Sequence, residues 1–262
     1  IFSEEMSVFI KLFQFFALYP SSVLLKIYSV INFMATIMIF ISAFFICNVL
    51  QEDNSLSILV GGLVFVGILL THLMNIFQAF TSRNEQAEIY RKFDQIDMLL
   101  SSDLFININY AVVRNRLLKK YSLIGLILIS IHVVSITSVA INGLFFSYYI
   151  HLIFPVIVIR FRCIQKMFFV ALIKEKLQML NQKLEKDLIP RNHDKIFLIV
   201  ERFQKRDMKS INTSLYDTIM VMKTVYGKIW DITNLCNDCF GYSLLFIVSV
   251  THNFVEFISF LF

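Results

Sequence analysis

Proline and glycine are scarce, at 3 and 7 among 262 residues. So few breakers argue against a turn-rich β-sandwich and leave long helices as the economical solution. Charge is also thin: Asp, Glu, Lys and Arg make up 16%, where an average soluble domain carries about 25%. The four cysteines, Cys47, Cys163, Cys236 and Cys239, are too few and too scattered for a disulfide framework. Cys236 and Cys239 form a C-x-x-C, but no second pair and no βαβ context accompanies it, so it reads as structural. Nothing in the given sequence resembles a cleavable signal peptide, and none is expected: Glu4 and Glu5 sit where basic residues belong and no small-residue cleavage site follows. The first span is therefore expected to insert as its own signal anchor. Catalytic signatures are missing too, with no G-x-S-x-G, Walker loop, H-E-x-x-H or intramembrane D-D-x-x-D-type cluster. The histidines His72, His132, His151, His193 and His252 fall on different elements. No enzyme, no catalytic residue, no metal and no cofactor is expected.

What is present is apolar. The hydrophobic fraction is 57%, with 28 Phe and a mean hydropathy of +0.70, which places the chain in the membrane class. A window of about 19 residues finds apolar stretches at about 27–50, 56–80, 121–141, 144–173 and 240–262, each long enough for the roughly 20 residues a bilayer requires. They are long and do not alternate, which excludes a barrel. The expected fold is an all-α membrane protein, a single transmembrane domain over 1–262 with five transmembrane helices.

The basic residues set the expected topology. Lys11 and Lys26 precede the first stretch; Arg83, Arg91, Lys92, Arg114, Arg116, Lys119 and Lys120 lie between the second and third; the rest run from Arg160 to Lys228. The loop at 51–55 and the turn at 142–143 hold none. All 24 basic residues thus fall on one side, which puts the N-terminus in the cytoplasm. This also accounts for the net charge of +5 without nucleic acid. Cytoplasmic helical regions are expected at about 81–120 and 174–239. In the first, Ile89, Phe93, Ile96 and Leu99 share one face. In the second, Ile211, Leu215, Ile219, Met222, Tyr226 and Ile229 step by three and four, an amphipathic stripe suited to packing in a cytoplasmic anchor. Breakers are absent after Pro190 until Gly227. Arg160, Arg162 and Lys166 could snorkel to the inner interface.

Polar groups inside membrane helices are costly unless paired or facing an aqueous cavity. By topology, Asn142, Tyr148, Tyr149, His151, His252, Asn253 and Glu256 lie toward the outer side of the last three spans. Aromatic rings mixed with hydrogen-bonding groups suit a small polar ligand. The competing reading is interfacial anchoring for the tyrosines and helix-to-helix hydrogen bonds for the others. His252 and Glu256 are four apart and can satisfy one another.

Three stretches carry a family likeness. "FFALYPSS" (15–22) resembles the short Pro-containing motif that opens insect gustatory receptors, and "LQMLNQKL" (177–184) resembles their leucine-Asn pattern. "IWDITNLCNDCFGYSLLFIVSVTHNFVEFISFLF" (229–262) is similar to their fifth helix, with Asn234 or Asn237 shortly before Phe240 and Gly241. The resemblance implies a seven-helix chemosensory subunit of a tetrameric, ligand-gated, non-selective cation channel. Such a subunit sits in the plasma membrane of chemosensory neurons and binds a small-molecule tastant in an outward-facing pocket. The family's Thr-Tyr to Gln-Phe string of the seventh helix is not found here, and the sixth and seventh helices are expected to be absent, as in a fragment. An insect odorant receptor subunit is the alternative, and a small transporter or membrane scaffold the second. The transporter reading lacks symmetric breaks: Pro155 in the fourth span and the Gly61–Gly62 pair in the second could serve, but they are not in paired positions.

Overall fold

A computed structural model describes the backbone of residues 2–49, 55–142, 146–188 and 208–261, with side chains at most positions of 4–42, 65–137, 153–185 and 216–248. All regular structure among the described residues is α-helical: α1 (Phe2–Glu5), α2 (Ser7–Phe15), α3 (Val23–Val49), α4 (Ser55–Thr81), α5 (Arg83–Ser102), α6 (Tyr110–Asn142), α7 (Phe146–Leu188) and α8 (Met208–Leu261). The five apolar stretches fall, in order, on α3, α4, α6, α7 and α8. Within the described residues no single helix is long and apolar enough to cross a membrane. The pair Phe65–Thr81 and Arg83–Ser102, bent by 61°, passes by length and composition together. α7 and α8 hold 43 and 54 residues, or about 65 and 80 Å of helix, more than the ~30 Å of a hydrocarbon core consumes.

Helix boundaries follow local chemistry. Ser22 and Asn109 act as N-caps: the Leu25 N–H donates to Ser22 Oγ and the Val112 N–H to Asn109 Oδ1, each at 3.2 Å, satisfying one otherwise unpaired donor apiece. α2 closes with Leu18 N–H on the Phe13 carbonyl (2.9 Å) and Ala17 N–H on that of Gln14 (3.0 Å), the paired bonds of a Schellman motif. Ala17 takes φ 58° where glycine is usual. The burial of Leu18 against the residues around Phe13, both fully inaccessible, holds it there. Between α4 and α5 the chain bends at Ser82, whose hydroxyl donates back to the Gln78 carbonyl, while Thr81 Oγ1 donates to that of Phe77 at 3.0 Å. Hydroxyls competing for the helical ladder are an identifiable cause of such a bend. α8 runs unbroken through Gly227 and Gly241, where an added Cβ would meet nothing within 4 Å.

The core lies where α2, α5, α6, α7 and α8 converge. Phe168 is its centre, with ring centroids 4.6 Å from Phe9, 5.7 Å from Phe13 and 6.4 Å from Tyr121. Phe169 carries the stack on to Tyr90 and Phe240 at 5.4 and 5.7 Å. Ile89, Phe93 and Ile96 of α5 are buried and Leu99 packs partly against them. On α8 the buried row is Met222, Val225, Ile229, Ile232, Cys236 and Phe240. Met222 and Ile229 thus face inward, whereas Ile219 (42% exposed) and Tyr226 (39%) lie on the outer side; the side chains of Ile211 and Leu215 fall outside the described residues. Arg162 does not snorkel: only 1% of it is exposed, because acceptors on α7 and α8 meet its guanidinium inside the bundle.

Candidate functional site

The seven residues expected to line an outer pocket, Asn142, Tyr148, Tyr149, His151, His252, Asn253 and Glu256, all have side chains outside the described residues. Their backbone positions are nonetheless given. Asn142 ends α6, residues 148–151 lie in the first turns of α7, and residues 252–256 lie near the end of α8. α7 and α8 pack against each other, and the Arg162 guanidinium meets the Cys239 carbonyl at 2.6 Å.

Farther into these helices the side chains build a buried polar junction. Gln78, Ser82 and Gln86 step by four across the α4–α5 bend, so they share one face. Opposite stand Arg162 and Gln165 of α7, three apart. Arg162 donates through Nη1 to Gln165 Oε1 (2.8 Å) and through Nη2 to the Cys239 carbonyl of α8 (2.6 Å). Its Cζ lies 4.2 Å from the Phe240 ring centroid. Gln165 Nε2 donates to Gln86 Oε1 at 3.2 Å, and Gln86 Nε2 to Ser82 Oγ at 3.4 Å. Gln78 Nε2 reaches the Asp238 carbonyl at 3.3 Å. A buried guanidinium is expensive; two charge-assisted hydrogen bonds and a desolvated cation–π contact offset that cost. The junction fastens the start of the last apolar stretch, at Phe240–Gly241, to both α7 and the α4–α5 bend.

Beyond the junction, away from the apolar stretches, sits a second buried charge. Lys176 Nζ pairs with Asp97 Oδ1, both side chains being 4% exposed or less, and lies 5.3 Å from the Tyr110 ring centroid. Burial holds the Asp97 carboxyl above its usual range despite Lys176 and a hydrogen bond from Tyr110. Burial, then Asp97, raises the Tyr110 phenol. More exposed ties surround this pair: Lys92 Nζ to Asp231 Oδ2 at 2.8 Å, Arg116 to Glu175 at 3.0 Å and Arg114 to Glu5 at 3.1 Å. Asn181, inside the "LQMLNQKL" stretch, accepts from the Tyr226 hydroxyl, so α7 and α8 are bonded there as well. Burial pushes the Cys236 thiol up to about 12. No group of metal-ligating side chains occurs among the described residues.

Sequence reasoning missed the junction because Arg162 resembled an interfacial anchor. The usable signal was the Gln78–Ser82–Gln86 spacing, three uncharged polar residues four apart where the apolar stretch gives way to a polar one. The profile of the 7tm chemosensory receptor family matches residues 7–262. The chain is 21% identical over 189 residues to a Drosophila melanogaster protein described as "Putative gustatory receptor 2a", covering 69% of this chain and 42% of that protein. The match thus spans less than half the length of this curated relative. No solved structure matches. The profile match runs from α2 to the end of α8, through the Ala17 turn, the aromatic core and the Arg162 junction alike; the chain belongs to the 7tm chemosensory receptor family, whose members are membrane-embedded receptors rather than enzymes.

Proposed function

We propose that the chain is a gustatory-type receptor subunit that detects a small-molecule tastant and belongs to a ligand-gated, non-selective cation channel. The observation that carries this reading is the family match together with the relative described as a gustatory receptor; that description favours the gustatory over the odorant type. In this reading the subunit spans the plasma membrane of a chemosensory neuron with its N-terminus in the cytoplasm. The five apolar stretches cross the bilayer, and ligand enters from outside between α6, α7 and α8. The buried junction at Arg162 then relays the pocket's state, since ligand binding shifts the helices between two packings. Subunits assemble as homo- or hetero-tetramers, a reading supported by apolar side chains left uncovered on α8: Tyr216, Met220 and Trp230 are 62%, 43% and 67% exposed.

The test is a ligand screen on cells expressing the receptor, read by calcium entry, with His252→Ala and Glu256→Gln as variants. A ligand that evokes current should lose potency in both variants while surface expression is unchanged. Unaltered dose responses would return both residues to helix packing. A response carried by odorants and not by tastants would replace the gustatory reading with the odorant one.

A further inference from the structure

Four polar residues lie on the packed helices α3 and α4, away from both sites above. Ser29 and Asn32 lie on α3, His72 and Asn75 on α4. His72 and Asn75 are fully inaccessible and Ser29 is 1% exposed. Both ring nitrogens of His72, both amide atoms of Asn75, Asn32 Nδ2 and Ser29 Oγ are buried with no hydrogen-bond partner. The two helices pack along each other as an antiparallel pair. Asn32 lies as many residues before Val49 as His72 lies after Ser55, and Ser29 and Asn75 correspond in the same way. Equal rise per residue from those helix ends sets Asn32 within about a turn of the level of His72, and Ser29 within about a turn of that of Asn75. On α7, Phe154 meets the His72 ring edge-on, with centroids 5.9 Å apart.

Buried polar atoms in folded proteins are almost always satisfied, so several of them near one level on packed helices mark a place where something else supplies the partners. A neutral imidazole offers one donor and one acceptor, and the Asn75 amide offers both roles as well. Asn32 adds a donor and Ser29 either. None of the four carries a formal carboxylate, ammonium or guanidinium charge, which disfavours an ion and favours a neutral group that donates and accepts at once. We infer that Ser29, Asn32, His72 and Asn75 form an internal binding site for a hydroxyl, either buried water or the hydroxyl of a small alcohol. A buried water makes about three hydrogen bonds, and the cluster can furnish them. The inference does not depend on which tastant opens the receptor.

The experiment uses the full chain in lipid nanodiscs. Radiolysis in ¹⁸O-water generates hydroxyl radicals from bound water in place, so wild-type His72 and Phe154 should acquire ¹⁸O although solvent cannot reach His72. That labelling should be lost in Asn75→Leu. His72→Phe and Asn75→Leu should also lower Tm, and His72→Gln, which keeps a donor and an acceptor, should lower it less. Ethylene glycol as probe separates the sources: a saturable rise in wild-type Tm with loss of the label identifies an alcohol site, and an unchanged Tm identifies water. Wild-type protein without label at His72 and Phe154, and without a saturable ethylene glycol effect, overturns the inference even where the variants fail to fold. A rise in Tm for His72→Phe or Asn75→Leu overturns it too, because removing truly unpartnered polar atoms relieves their burial.

Discussion

The Asp97–Lys176 pair shows how a single residue's worth depends on what is left behind when it goes. Both side chains are almost wholly inaccessible, so removing the lysine strands a carboxylate in the interior. Breaking a buried pair in this way costs about 3–5 kcal/mol, and Lys176→Met should lower stability by that order at neutral pH. The sign of the pH dependence follows from Asp97, whose folded-state pKa lies above its ordinary value. The folded state therefore holds that proton more tightly than the unfolded chain, a contribution that favours folding at low pH and is lost as pH rises through the raised value. The Lys176→Met deficit should shrink as pH falls through the same range. Adding Asp97→Leu should recover most of it, because two apolar groups leave nothing unpaired. Thermal melts of the variants over a pH series check all three outcomes. Of this pair the sequence showed only two charges on amphipathic helices; that they meet is a matter of α5 and α7 packing, beyond any local pattern.

At the scale of elements, α8 is the clearest case. Its 54 residues contain two glycines, and neither is held there by a close neighbour. Glycine inside a helix costs roughly 0.8–1 kcal/mol relative to alanine. Gly227→Ala should raise stability by up to about 1 kcal/mol and slow amide exchange in the turns around it, measured by hydrogen–deuterium exchange. The helix itself was legible from the scarcity of breakers. Its rotation was less so, because a three-and-four spacing admits more than one face. Met222 and Ile229 are on the buried side, but Val225, Ile232 and Cys236 complete that side. The partner helix selects the face, through Phe169 and Arg162 meeting Phe240.

For the whole molecule, the question is what covers the outer side of α8. Trp230 is 67% exposed and Tyr216 62%, on a stretch with charged neighbours and outside the expected span. Under the tetramer proposal these rings pack against another subunit. Trp230→Glu should then disperse the assembly to monomers in native mass spectrometry. The melting of the isolated subunit should change by no more than about 0.5 kcal/mol, as for other surface substitutions. A tetramer unaffected by the change would move the interface elsewhere.

The order of long apolar helices, their amphipathic continuations and the absence of catalytic and metal signatures were determined by the sequence alone, because hydropathy and helical period are properties of neighbours along the chain. The buried junction, the Asp97–Lys176 pair and the unpartnered polar cluster of α3 and α4 were decided only by tertiary structure. Arg162 finds its acceptor 77 residues away at Cys239, and whether a polar side chain faces lipid, water or another helix depends on that distant partner. An isolated arginine in an apolar stretch can equally snorkel outward or turn inward. Here the carbonyl of Cys239, the amide of Gln165 and the face of Phe240 converge on one point inside the bundle, and that convergence turns it inward.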